Sequence, residues 1–337
     1  MEKLEALASI TRLSDRVVRV LGQNPGKFTL QGTNTYIIGQ RNPYTLLDTG
    51  EGKDEYIPHL EAALRDTTKS SNPDEPDVSD IIISHWHGDH VGGLPSVLTL
   101  LRRLWDERNV PAPFKPPRIH KFPLPGLSDD SALVSLPNTL PRDSYTAAPN
   151  NSVFHDFSDL QLFPVTGCNS PLQVLHTPGH TKDSICLHFP EEGALFTADT
   201  ILGQGTAVFE DLATYIASLR KILELRSSNG QRTEYTTLYP GHGPVVTDGP
   251  KLISTYIEHR TERENQIIGV MKQPSLERQP WSTWGIVSTI YAAYPQNLWL
   301  PAANSVNQHL KKLQSEGKVR SLGGEGKDMQ WELLAKL

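Results

Sequence analysis

Three histidines and an aspartate fall within seven residues in the stretch Ser84-His85-Trp86-His87-Gly88-Asp89-His90. Such side chains are costly to desolvate and gain little from packing, so a cluster this dense calls for a bound partner. Imidazole nitrogen and carboxylate oxygen suit zinc and neighbouring transition metals, with no thiolate required. His85 and His87, two apart in extended chain, can place both rings on one side and grip one ion. Asp89 and His90 come as a helix begins, point elsewhere, and can serve a second ion. Three further positions share one property with the cluster. His180 ends LHTPGH, Asp199 ends LFTAD, and His242 lies in LYPGHGP. Each follows an apolar run that reads as a strand, as His85 follows Ile81–Ile83. Reactive groups carried at the carboxyl ends of several strands are how an α/β sheet builds a site. Five histidines and two aspartates suffice for two metals sharing one carboxylate, with Asp199 the natural bridge. The other seven histidines, His59, His120, His155, His176, His188, His259 and His309, are assigned to core or surface.

Metals held there would lower the pKa of water from about 15.7 to about 7 and stabilise a developing oxyanion. Asp89 would orient the attacking water and pass on its proton. No protein nucleophile is needed. Competing motifs are absent: there is no GxSxG elbow, HExxH, P-loop or complete GxGxxG. The stretch GQGTAVFED reads as a turn beside Asp199, and its Glu210 and Asp211 as salt-bridging groups.

The elements that must position these residues alternate between short strands and helices, which predicts an α/β layered architecture. Strands are expected at Val17–Leu21, Thr35–Ile38, Thr45–Leu47, Ile81–Ile83, Leu160–Phe163, Leu172–His176, Ile185–Phe189, Ala194–Thr197 and Thr237–Tyr239. Helices are expected at Glu55–Asp66, directly after His90, at Leu212–Leu225 and at Lys251–Met271. Thr67–Asp80 reads as a surface loop. Residues 111–158 carry six prolines within Pro111–Pro125 and no period, and read as a long insertion forming a lid or groove wall. From Pro280 two helices (Ser282–Tyr294, Ala302–Glu316) and a hairpin (Lys318–Leu322, Met329–Leu333) suggest a small winged-helix-like module. Two domains are expected, 1–275 and 276–337.

The chain has 337 residues, two cysteines far apart in sequence, and a net charge of −6. A disulfide framework is not expected, nor is a strongly basic footprint for nucleic acid. In the C-terminal module Lys311, Lys312, Lys318, Arg320 and Lys327 are interleaved with acids, which reads as a solvated face. No apolar run is long enough to span a membrane, and the first residues resemble neither a secretory nor a mitochondrial leader. A cytoplasmic location is expected; the oligomeric state is not readable.

The motifs SHWHGDH, HTPGH, TAD and PGHG resemble the metallo-β-lactamase superfamily. The resemblance implies a four-layer αββα sandwich and two Zn2+ per chain. It places His85, His87 and His180 on the first zinc and Asp89, His90 and His242 on the second, with Asp199 bridging. Asp48 of LLDTG would support the ligand loops from behind. The stretches LGQNPGKFTLQGTNTYIIG, DTGEG, ILGQGTAVFEDL, YPGHGPV and LKKLQSEGKV are similar to the lactamase-beta-like-2 branch. That branch implies one of two activities. One is a thioesterase releasing polyketide from an acyl-carrier-protein domain of a polyketide synthase in fungal secondary metabolism. The other is a single-strand-specific, metal-dependent endoribonuclease whose partner is single-stranded RNA. The acidic balance and the lack of a mitochondrial presequence favour the thioesterase.

Overall fold

The computed structural model describes residues 4–67, 72–108, 111–124, 132–225, 234–273 and 280–334. They divide into two compact units: residues 1–208 with 224–250, and 209–223 with 251–337. The division expected at 275/276 differs from this one, leaving the helices at Leu212–Leu223 and Gly249–Met271 with the first part.

The first unit contains two mixed sheets. Seven strands form the first, in sequence order: β1 (Ile10–Arg12), β2 (Val17–Leu21), β3 (Asn34–Ile38), β4 (Tyr44–Leu47), β5 (Val78–Ile83), β6 (Arg118–Lys121) and β7 (Phe154–Asp156). β1 to β4 pair antiparallel, and β4 to β7 parallel. The parallel strands therefore end on one edge, where Asp48 and Ser84–His85 emerge. The second sheet orders β12-β11-β10-β9-β8, from β8 (Leu162–Phe163), β9 (Leu172–His176), β10 (Ile185–Phe189), β11 (Ala194–Ala198) and β12 (Thr237–Pro240).

The two-residue period of the strands splits their side chains between two cores. Val17, Tyr36, Ile38, Leu47 and Ile82 pack with Leu172, Val174, Ile185, Leu187 and Phe196 of the second sheet. Their neighbours Val18, Ile37, Leu46, Ile81 and Ile83 face the opposite way, onto Leu60 and Leu64 of α1 (Tyr56–Thr67). Burial on both faces explains why these strands read as continuous apolar runs.

Residues 111–158 are not an insertion. Arg118–Lys121 and Phe154–Asp156 complete the first sheet, and Ile119, Leu133, Leu136 and Val153 belong to its core. The sequence disguised β6 because polar residues occupy it. Asp80 accepts from Arg118 Nε and from His120 Nε2, both at 2.8 Å, and the buried Lys121 ammonium pairs with Asp183. Likewise β5 begins at Val78, inside the expected loop. The helix after the motif is two pieces, α2 (Gly88–Val91) and α3 (Leu94–Glu107), with a four-residue helix α4 (Ala132–Ser135) further on. The break at Gly92–Gly93 has a steric cause: a Cβ on Gly93 would lie 2.0 Å from Thr49 O.

The second unit holds α5 (Leu212–Leu223), most of α6 (Gly249–Met271), α7 (Thr283–Ile290) and α8 (Trp299–Ser315). Its sheet orders β13 (Trp281–Ser282), β15 (Gln330–Leu333) and β14 (Val319–Gly323). Trp331, Ile286, Val306, Leu310 and Val319 form its core. Ser282 caps α7, accepting from Gly285 N at 2.9 Å, so that helix is shorter than the expected Ser282–Tyr294. Lys312, Lys318, Arg320 and Lys327 each pair with an acid, so the interleaved charges form a solvated face.

Candidate metal centre

All seven residues singled out from the sequence meet at one edge of the first unit. His85 and His87 leave β5, and Asp89 and His90 lie in the short α2. His180 follows β9, Asp199 follows β11 and His242 follows β12. They fall into two groups that could each hold an ion: His85, His87, His180 and Asp199, and Asp89, His90 and His242. His87 Nδ1 lies 3.1 Å from His85 Nε2 and 3.0 Å from His180 Nε2, which are themselves 3.3 Å apart. In the second group His242 Nε2 is 3.1 Å from Asp89 Oδ2, and His90 Nε2 is 3.4 Å from the same oxygen. Asp199 joins the groups. Its Oδ2 is 3.2 Å from His242 Nε2 and 3.6 Å from His180 Nε2, while Oδ1 is 3.3 Å from His90 Nε2.

The outer nitrogens of four rings are tied down. His90 Nδ1 donates to Asp48 Oδ2 at 2.7 Å. Ser84 Oγ donates to the same carboxylate at 2.8 Å, which leaves it to accept from His85 Nδ1 at 3.0 Å. His180 Nδ1 donates to the Val208 carbonyl at 2.8 Å, and His242 Nδ1 faces the Gly32 carbonyl at 3.4 Å. Each bond holds the proton on Nδ1 and turns the Nε2 lone pair into the cluster. Lone pairs cannot bond one another, so nitrogens this close call for a cation. A tetrahedral zinc with ligands at about 2.05 Å has ligand–ligand edges of about 3.3 Å, which the nitrogen spacings approach.

The protonation tendencies agree. Burial and the neighbouring His90 and His180 push His85 well below its ordinary value, and burial with His180 pushes His87 down to about 4. Burial would also lower His90 and His242, but Asp199 and the other carboxylates overcome it. They carry His90 well above its ordinary value and His242 to about 9. Burial would raise Asp89 and Asp199, yet the facing histidines hold both well below the usual carboxylate range. The cluster thus combines bare lone pairs with an excess of negative charge. Asp199 Oδ1 is buried without a hydrogen-bond partner. The donor set fits a divalent metal.

The loops owe their shape to residues that sequence reasoning passed over. Asn34 Nδ2 donates to the Pro240 and Gly243 carbonyls at 2.8 and 2.9 Å, and Tyr36 OH to Pro240 O at 2.7 Å. This clamps the turn carrying His242. Thr33 Oγ1 donates to Asp89 Oδ2 at 3.2 Å and is itself held by Asn24 Nδ2 at 3.0 Å. A Cβ on Gly241 would fall 2.4 Å from Asp199 Oδ1, so only glycine lets the backbone approach there. Asp48, φ +59°, and Ala198, φ +43°, sit in the left-handed region at the strand ends they close. The signal available in advance was Asp48 alone, as an acid ending a strand before a Thr-Gly turn. Glu210 and Asp211 are absent from both ligand groups.

A sheet-edge array of this kind defines a class, and the comparisons agree with it. Residues 28–242 match the metallo-beta-lactamase superfamily, and residues 282–331 match the beta-lactamase associated winged helix domain. The chain belongs to the metallo-beta-lactamase superfamily. Within it, the chain is 38% identical to beta-lactamase-like protein 2 homolog of Drosophila melanogaster, covering 93% of each. It is 34% identical to atrochrysone carboxyl ACP thioesterase of Claviceps purpurea, over 82% of this chain and 72% of that one. Among solved structures, a beta-lactamase domain protein from Burkholderia ambifaria superposes with TM-score 0.67 at 16% identity, covering 99% and 96%. That likeness speaks for the fold: mixed sheets with a C-terminal winged helix. The fold binds divalent metals, and the superfamily points to a metal-dependent hydrolase. None of the described helices is long and apolar enough to cross a membrane.

Proposed function

We propose that the protein is a dinuclear zinc hydrolase cleaving an acyl thioester carried on an acyl-carrier protein, as part of polyketide biosynthesis. The observation that carries the hydrolase reading is the meeting of two ligand groups at one carboxylate. Fungal relatives named atrochrysone carboxyl ACP thioesterase, spanning about four fifths of the chain or more, support the thioester substrate.

In this reading His85, His87 and His180 hold one zinc, Asp89, His90 and His242 the other, and Asp199 lies between. Bound there, the metals supply an acidified water and positive charge for the oxyanion. Asp89, ionised at neutral pH and held by Thr33, orients the attacking water and takes up its proton. Attack would form a C–O bond to the carbonyl carbon, and the C–S bond would break as the carbonyl re-forms, leaving the free acid. The carrier's pantetheine leaves as a thiolate and needs little proton donation, so no separate general acid is required. Asp48 keeps the two groups in register, the first through Ser84 and His85 and the second through His90.

The second reading is the other activity that the sequence resemblance implies, a single-strand-specific endoribonuclease; the animal relatives named beta-lactamase-like protein 2 homolog, at higher identity and nearly full coverage, keep the branch in view. One preparation assayed on carrier-bound polyketide thioester and on single-stranded RNA decides between them, with Asp199→Ala as the control for contaminating nuclease. Free acid released from the thioester, and its loss on chelation, is the expected result. Metal-dependent RNA cleavage without thioester turnover would reverse the ranking.

A further inference from the structure

The strands β5, β6 and β7 end side by side, and the metal cluster uses only the first of them. Against β7, the residues that lead into it and the segment that follows β6 lies a cavity of about 620 Å³. Phe122, Leu124, Leu133, Tyr145, Val153 and Phe154 form the apolar part of its wall. Its volume and largely apolar wall are those of a site for an organic small molecule.

Two contacts tie this wall to the segment that carries His180. Phe122 stacks on His176, four residues before His180, with ring centroids 3.8 Å apart and planes 7° from parallel. Lys121, which lines the cavity, pairs with buried Asp183 in the turn that follows His180. Two residues of the wall are thereby joined to the segment that carries the ligand His180.

Its charge selects the occupant. Asp183 neutralises Lys121, and the remaining ionisable group of the wall is exposed Asp156. Nucleic-acid tracks depend on surplus positive charge along the backbone, and this cavity has none to offer. Phe122, Tyr145 and Phe154 instead supply aromatic rings to a wall that suits a flat apolar group. We infer that the cavity is the acyl subsite of the thioesterase: it receives a planar aromatic acyl group while the thioester carbonyl lies over the metal cluster. This inference rests on the proposed thioesterase activity for its chemistry and on the cavity alone for its binding.

The test uses two probes and two variants, with thermal melts to establish folding. Ser152, half-buried in the wall, becomes tryptophan to fill the space, and Leu124 becomes alanine to widen it. With metal-loaded protein, kcat/KM is measured for acetyl and 2-naphthoyl thioesters of pantetheine. Ser152→Trp is expected to lower the naphthoyl-to-acetyl ratio at least tenfold, mainly through KM, and Leu124→Ala to shift it toward bulkier acyl groups. In parallel, binding of neutral 2-acetylnaphthalene is followed by tryptophan fluorescence and is expected to weaken tenfold in Ser152→Trp. Folded variants with wild-type ratios and wild-type naphthalene binding would overturn the subsite. Wild-type protein that binds the naphthalene at this site but hydrolyses neither thioester would overturn the thioesterase reading and leave the binding cavity standing.

Discussion

At the scale of single residues, the centre depends on a carboxylate shared between two groups and on the absence of a side chain beside it. Asp199 faces His90, His180 and His242, so Asp199→Ala should reduce bound zinc from about two to below one and abolish turnover. His85→Ala should mainly weaken one site. Elemental analysis of gently purified variants measures this. Full metal content in Asp199→Ala would remove the bridge assignment. Gly241 provides the steric counterpart. A methyl group there would meet Asp199 Oδ1 at 2.4 Å and His90 Cε1 at 3.0 Å. Gly241→Ala is therefore expected to lower metal content as well as activity while the far-ultraviolet circular dichroism stays native. A variant with both zincs and full rate would show that the turn yields freely.

At the scale of elements, the ligand loops are braced by a buried pair from a strand the sequence conceals. Lys121 of β6 and Asp183 beyond His180 are both almost fully buried, and Thr181 Oγ1 donates to Asp183 at 2.8 Å. Removing one partner leaves the other charge stranded in a region of low polarity, which costs about 3–5 kcal/mol. Lys121→Met and Asp183→Asn should each destabilise the protein by roughly that amount. The double variant should cost less than the sum, because neither charge is then stranded. Denaturant unfolding of the three proteins checks the expectation; additive losses would mean that the two charges do not support one another. The same pair explains how a strand reading Arg-Ile-His-Lys stays inside a parallel sheet. Its charges find Asp80 and Asp183 on neighbouring chain segments.

At the scale of the whole molecule, acid stability should be limited by a histidine outside the metal centre. His188 of β10 is buried, its Nε2 has no hydrogen-bond partner, and burial pushes its pKa down to about 4. The unfolded chain takes up this proton near pH 6.5 and the folded protein only near pH 4. Stability from this group is therefore complete above about pH 6.5 and declines as the pH falls toward 4. The loss is about 2 kcal/mol by pH 5. Melting temperatures at pH 7.5 and pH 5 should fall further apart for the wild type than for His188→Leu. Equal differences would show that His188 finds a proton partner in the folded protein.

The spacing of His85, His87, Asp89 and His90, and the strand–turn settings of His180, Asp199 and His242, were legible in the sequence because ligand chemistry uses residue types that packing avoids. The central strands were legible too, since Val17–Leu21 and Ile185–Phe189 are apolar on both faces. β6 and β7 were not. The polar side chains of β6 become acceptable only when Asp80 and Asp183, distant in sequence, arrive as partners, and β7 is only three residues long. Asn34, Ser84 and Gly241 were equally silent, for a hydrogen-bond donor or a missing Cβ acquires its meaning from the group it faces. The sequence by itself determined which atoms can bind a metal and which segments form the central sheets. Only the tertiary structure decided that Asp199 faces both groups and that Arg118–Lys121 and Phe154–Asp156 extend the first sheet, because both depend on contacts between segments far apart in the chain.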